Sequence, residues 1–167
     1  MNRAVLLDRD GVINRDVGYA HRPDQIVFEP GVFEFCRAAK ARDYRIVIVT
    51  NQSGIGRGLY SEADFQVLMR WMADLFREEA APLAGWYHCP HHPTAGLGIY
   101  RRTCGCRKPA PGLLLRAAEE HSLDLARCWM IGDKPTDLAA AAAAGVPGRL
   151  YGAEAGGASF DDLIELL

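Results

Sequence analysis

The sequence predicts an α/β protein in which helices cover both faces of a parallel sheet, giving three layers of Rossmann type. Three observations lead there. Short apolar runs, Ala4–Leu7 and Ile46–Val49 the strongest, alternate with stretches of helical periodicity. Each of these two runs stops at a polar turn, Asp8-Arg9-Asp10-Gly11 in one case and Asn51-Gln52-Ser53-Gly54 in the other. The length of 167 residues, with 49% hydrophobic and 24% charged, suits one globular domain with a buried core.

In chain order, Arg3–Asp8 reads as a strand that Gly11 turns away from, exposing a carboxylate at its end. Gly31 to about Arg42 has helical spacing through Val32, Phe35, Cys36 and Ala39, and Arg45–Thr50 is a second strand. Ser61 and Asp64 are placed as a capping box for a helix running to about Ala80. Its core stripe takes in Phe65, Leu68, Met69, Trp71, Met72, Leu75 and Phe76. Pro82 and Pro90 bracket a third strand around Trp86 and Tyr87, and no regular element fits residues 89–111. A helix at Leu113–His121, a strand at Cys128–Gly132, an Ala-rich helix at Thr136–Ala144 closed by Gly145, and a last short strand at Arg149–Tyr151 complete the series. Ligands of such sheets bind outside the carboxyl ends of the strands, where Asp8, Thr50 and Asp133 fall.

Bulk properties narrow the partner. A net charge of -2 without a long Lys/Arg run argues against nucleic acid or anionic lipid, so a small solute is expected. The apolar runs are too short to span a bilayer, and the N-terminus lacks the pattern of a secretory signal. A cytoplasmic location and a monomer are the defaults. In a reducing compartment the five cysteines are not a disulfide framework; Cys36 and Cys128 read as small buried hydrophobes.

Asp8 and Asp10 leave one strand-to-turn segment, so two carboxylates can be aimed at a single point. One acid is then free to attack phosphorus while the other serves as acid and base, provided a cation holds down their repulsion. Asp133 would complete an all-oxygen magnesium site. Arg107 and Lys108 offer positive charge to phosphate oxygens, and Thr50 with the Asn51–Ser53 backbone offers hydroxyl and N–H donors. Separately, Cys89, His91, Cys104 and Cys106 form two close ligand pairs suited to tetrahedral zinc. With four protein ligands, that metal would be structural. His92 competes for the histidine position and His88 does so more weakly.

Four stretches, Leu6–Val12, Ile48–Asn51, Arg107–Pro109 and Ile131–Asp137, resemble in order the signature motifs of the haloacid dehalogenase superfamily. The resemblance covers nearly the whole chain. It implies an aspartyl-phosphate on Asp8, acid/base work by Asp10, and stabilisation of the phosphoryl group by Thr50 and Lys108. It also implies magnesium held by Asp8, the backbone carbonyl of Asp10, and Asp133. Asp137 would orient Lys108 or a water, or else be a solvated helix residue.

The loop at about 89–106 is similar to that of heptose bisphosphate phosphatases and of related histidinol-phosphate phosphatases. Gly18-Tyr19-Ala20-His21, Thr50–Gly58 and Cys89–Pro93 resemble the heptose enzymes more closely; Gly56 departs from their commonest residue. That resemblance implies substrate contacts from Gly18, Tyr19, Ala20, His21, Asn51, Gln52 and Ser53, selection by Arg107, and a phosphate contact from Lys134. The implied reaction removes the 7-phosphate of D-glycero-D-manno-heptose 1,7-bisphosphate on the way to lipopolysaccharide precursors. No insertion is long enough for a separate cap domain, and Arg57, Arg101 and Arg102 are candidates for a second phosphate. Competing readings are a histidinol-phosphate phosphatase, a polynucleotide 3′-phosphatase, a phospho-accepting receiver domain and a zinc-dependent binding module.

Overall fold

In the computed structural model, which describes all of residues 1–167, five parallel strands stand in the order β3-β2-β1-β4-β5. They are β1 (Arg3–Leu7), β2 (Tyr44–Asn51), β3 (Gly85–Cys89), β4 (Trp129–Gly132) and β5 (Gly148–Leu150). The chain builds outward from β1 through β2 to β3, then returns to lay β4 against the other side of β1. This reversal opens a crevice between the carboxyl ends of β1 and β4, and Asp8 and Asp133 directly follow those ends.

Alternation along the central strands makes two cores. Val5, Leu7, Ile46 and Ile48 face one side, where they meet helices α1 (Val32–Ala41), α3 (Glu62–Glu78) and α6 (Phe160–Ile164). Ala4, Leu6, Val47 and Val49 face the other, under α4 (Gly112–His121) and α5 (Pro135–Ala144). Both faces are covered, so the strands read as unbroken apolar runs rather than alternating ones. Every 1.5–3 kcal/mol side chain buried here, about that much per Leu, Ile or Phe, helps to fix the strand ends that carry polar groups.

The expected capping box is present: the Ser61 hydroxyl accepts from the Asp64 N–H at 3.0 Å and the Asp64 carboxylate accepts from the Ser61 N–H at 2.8 Å. Gly145 closes α5 with φ of 74°. Several expectations need correction. Trp71 and Leu75 sit only half-buried at the edge of the core rather than within it. The last strand lies one residue earlier than Arg149–Tyr151: Tyr151 still donates its N–H to Gly132 of β4, but it stands beyond the strand, as an isolated bridge to Ala158. Two short helices were not foreseen, α2 (Ser53–Gly56) and α6; one turn or so of helix is too brief to show a period.

Candidate active site

Lys108 is the centre of the crevice. Its side chain is almost wholly buried, and its Nζ lies 2.9 Å from Asp8 Oδ1, 2.7 Å from Asp137 Oδ1 and 2.8 Å from the carbonyl of Val49, to which it donates. Burial opposes the charge, yet Asp8 and Asp137 outweigh it and raise the Lys108 pKa above the usual lysine value. For Asp8, burial dominates and pushes the carboxyl up, against the pull of Lys108 and with the repulsion of Asp137. Asp137 is therefore no solvated helix residue. Its other oxygen accepts from the Lys134 N–H at 3.1 Å, which pins it at the start of α5.

Asp133 completes a triangle: Asp8, Asp133 and Asp137 each offer a carboxylate oxygen within 4.8 Å of one another. Asp133 Oδ1 is buried without a hydrogen-bond partner, and burial, followed by the charge of Asp8, pushes this carboxyl up to about 6. Three acids against one ammonium leave a deficit of positive charge. An oxygen-only donor set of this kind fits a hard divalent cation.

Asp10 is held apart from that triangle. Arg9, which stands between the two acids in the sequence, is fully buried, and its Nη2 donates to both Asp10 oxygens at 2.9 Å and to the Ala20 carbonyl at 2.7 Å. Asn14 and Gln52 also donate to Asp10, at 3.1 and 3.0 Å. Neither Arg9 nor Asn14 carried a sequence signal beyond position next to Asp10.

A polar cavity of about 530 Å³ opens beside Asp8, Asp10, Thr50 and Lys108. The structure brings Gly18, Tyr19, Asn51, Gln52, Ser53, Arg107 and Lys134 to its wall, with Arg57 beside them. It does not bring Ala20 there: the methyl is fully buried and the carbonyl is taken by Arg9. His21 instead stacks on Tyr60, ring centroids 4.9 Å apart, and Arg101 and Arg102 lie outside the lining. Asp133 faces an adjoining hollow with Gly11, Arg15 and Glu29, while Lys134 and Asp16 stand on the divide between the two. The Asn51 amide clamps the backbone of Lys108, donating to its carbonyl at 3.1 Å and accepting from its N–H at 3.0 Å.

The second candidate metal site also gathers. Cys89, His91, Cys104 and Cys106 present ligand atoms within 4.8 Å of one another, with sulfur–sulfur separations of 3.0, 3.4 and 3.6 Å. His91 Nδ1 lies 3.6 and 3.4 Å from the sulfurs of Cys89 and Cys106. Tetrahedral zinc with Zn–S bonds of about 2.3 Å needs sulfur–sulfur edges of about 3.8 Å, so the pocket fits after a slight expansion. The histidine alternatives resolve: His92 Nδ1 accepts backbone N–H groups of Thr94 and Ala95, and His88 pairs with Glu62 at 2.6 Å. The loop is anchored to the cavity wall, since Gln52 N–H donates to the Cys89 carbonyl at 2.7 Å and Leu97 N–H to the Gly56 carbonyl at 2.8 Å. A Cβ at Gly56 would come within 2.4 Å of the Pro90 carbonyl oxygen, so a small residue alone does not satisfy this contact; glycine does.

Residues 105–159 match a family model described as HAD-hydrolase-like. A crystal structure of D,D-heptose 1,7-bisphosphate phosphatase from B. bronchiseptica, complexed with magnesium and phosphate, superposes with a TM-score of 0.78 at 34% identity. The match covers 89% of this chain and 79% of that one. Fold and site thus define a phosphatase of the haloacid dehalogenase class. Over 145 residues the chain is 50% identical to D-glycero-alpha-D-manno-heptose-1,7-bisphosphate 7-phosphatase of Burkholderia mallei, covering 87% of this chain and 77% of that protein. It is 45% identical over 143 residues to the corresponding beta-anomer phosphatase of Yersinia pestis, covering 86% and 76%. The chain belongs to the family of D-glycero-D-manno-heptose 1,7-bisphosphate 7-phosphatases.

Removing the buried ammonium leaves Asp8 and Asp137 uncompensated. Lys108→Met is expected to lose roughly 3–5 kcal/mol of stability at pH 7, measured by urea unfolding in magnesium-free buffer. Lys108 pulls the Asp8 carboxyl down against its burial, so its loss raises Asp8 further. Folding of the variant then takes up a proton at a higher pH than folding of the parent does, and the deficit of the variant is expected to shrink as the pH is lowered toward 5.

Proposed function

We propose that residues 1–167 act as one phosphatase domain that removes the 7-phosphate of D-glycero-D-manno-heptose 1,7-bisphosphate and leaves the 1-phosphate for activation toward lipopolysaccharide precursors. The observation that carries this reading is the buried Asp8–Lys108–Asp137 cluster, with unpartnered Asp133 beside it, at the foot of a polar cavity.

Asp8 attacks the phosphorus in line with the leaving oxygen, forming an acyl phosphate while the bond to the sugar oxygen breaks. Lys108 and Thr50 donate to the phosphoryl oxygens as their charge develops. Asp10 gives its proton to the departing O7, then takes one from the water that attacks the aspartyl-phosphate, releasing inorganic phosphate and restoring Asp8. Asp8, Asp133 and the backbone carbonyl of Asp10 would hold magnesium, which would supply the positive charge the three acids lack. Lys134, Arg107 and Arg57 on the cavity wall supply cations for a substrate that carries two phosphates. Gly18, Tyr19 and Ser53 line the same cavity and are available to the sugar. Cys89, His91, Cys104 and Cys106 would hold zinc with no open position, and the ion would order the loop that delivers Arg107 and Lys108. Thiols kept reduced for a metal accord with a cytoplasmic setting.

Steady-state hydrolysis of both anomers of the heptose bisphosphate, measured beside histidinol phosphate, tests the substrate. The heptose is expected to be preferred, with heptose 1-phosphate as product and Asp8→Asn inactive with its zinc intact; preference for histidinol phosphate rejects the assignment. The magnesium site has its own test. With its carboxyl pushed up to about 6, Asp133 holds a proton below that pH that the cation must displace, so magnesium affinity is expected to fall as the pH drops from 7 to 5. Magnesium titrations followed by thermal shift on Asp133→Asn and the parent chain check this: the parent shows the pH dependence and the variant loses the response.

A further inference from the structure

Gln52 was expected to touch substrate, but both ends of its amide are already engaged inside the protein. Its Nε2 donates to Asp10 Oδ2 at 3.0 Å and to Thr50 Oγ1 at 2.9 Å, while its Oε1 accepts from the hydroxyl of Tyr60. The side chain is 2% exposed. Burial pushes the Tyr60 phenol well above its usual range, so the ring keeps its proton and donates. That donor fixes which end of the amide is oxygen, and turns the NH2 end toward Asp10 and Thr50.

Two consequences follow. Asp10 is gripped from behind by Arg9 and Asn14, and Gln52 is its remaining partner, on the side that opens to the cavity. Thr50 Oγ1 already accepts from Gln52, and the one hydrogen bond its O–H donates is a long 3.4 Å approach to the Asn51 carbonyl, weak enough to be exchanged for a phosphoryl oxygen. Tyr60 is itself held in place. Gly54 lies so close that a Cβ there would sit 2.2 Å from the Tyr60 ring, and His21 stacks on the other side at an interplanar angle of 7°.

We propose that Tyr60 and Gln52 are positioning residues that set Asp10 toward the leaving oxygen and Thr50 toward the phosphoryl group. His21, at the end of the cavity-lining loop, steadies Tyr60 from outside. This inference rests on the acid/base reading of Asp10 and adds to it the two residues that aim it.

The test compares Tyr60→Phe and Gln52→Met with Asp10→Asn and the parent chain in the first half-reaction, the pre-steady-state burst of leaving group released as the phosphoenzyme forms, because Asp10 serves the later hydrolysis of the aspartyl-phosphate alike for every ester. The two magnesium-loaded substrates are the heptose bisphosphate, whose alkoxide leaving group needs a proton, and p-nitrophenyl phosphate, whose phenolate does not. Tyr60→Phe keeps the ring, the His21 stack and the contact with Gly54, so it is the variant least exposed to misfolding; thermal unfolding checks both. Asp10→Asn is expected to lose far more activity on the sugar than on the aryl ester. Tyr60→Phe and Gln52→Met are expected to follow the same pattern, the burst rate for the sugar falling by about tenfold with KM nearly unchanged and that for the aryl ester falling less. Equal losses on the two esters, no loss, or a change confined to KM would overturn the positioning role while Asp10→Asn keeps its selectivity. If Asp10→Asn itself fails to discriminate the esters, the acid/base reading falls and this inference falls with it.

Discussion

A single ammonium group, buried among two carboxylates and a strand carbonyl, is the constraint on which the site depends. Lys108 ties Asp8 at the end of β1 and Asp137 in the first turn of α5 to the Val49 carbonyl in β2, so three elements meet at one nitrogen. Desolvating these charges is costly, and they are tolerated because each has a partner at hydrogen-bond distance. The balance is deliberately short of one cation: Asp133 has no ammonium of its own and holds its proton up to about pH 6. A site that attracts a divalent ion and a phosphate ester is what remains when that deficit is placed beside a cavity walled by Arg57, Arg107 and Lys134.

Lys108 needs a scaffold, because its own segment between Cys106 and α4 has no regular structure. The Asn51 amide holds its backbone from one side, and the four-residue Cys/His cluster ends two residues before it on the other. That cluster is joined to the Gln52–Gly56 turn through the carbonyls of Cys89 and Gly56. The Cys/His loop, the turn and Lys108 are therefore tied to one another through backbone hydrogen bonds. Displacement of the loop by even an ångström would be felt at the phosphoryl position, where geometry is worth many-fold in rate.

Much of this was legible in the sequence. Strand ends were marked where apolar runs met Asp8, Thr50 and Asp133, because an apolar run buried on both faces gives way to polar residues where the chain leaves the sheet. The four zinc candidates were marked by chemistry alone in a loop with few apolar residues. What the sequence hid was direction. His91 and His92 are adjacent and chemically alike, and the difference between them is that one faces the sulfurs while the other caps the backbone at Thr94 and Ala95. Gln52 reaches the cavity wall yet turns its amide to Asp10, and Ala20, in a segment whose neighbours line the cavity, turns its methyl into the core. Arg9 was invisible for a similar reason: a charged residue beside two acids reads as surface, and here it is a fully buried clamp.

The central claim is that the acid at the end of β1 carries the phosphoryl group covalently. Acid-quenched single turnover of the heptose bisphosphate, followed by proteolysis and mass spectrometry, addresses it most directly. A hydroxylamine-labile phosphate on the peptide bearing Asp8, absent when the substrate is omitted, is the predicted result. Turnover without any phosphoenzyme at Asp8, or a stable phosphate on another residue, would contradict the account.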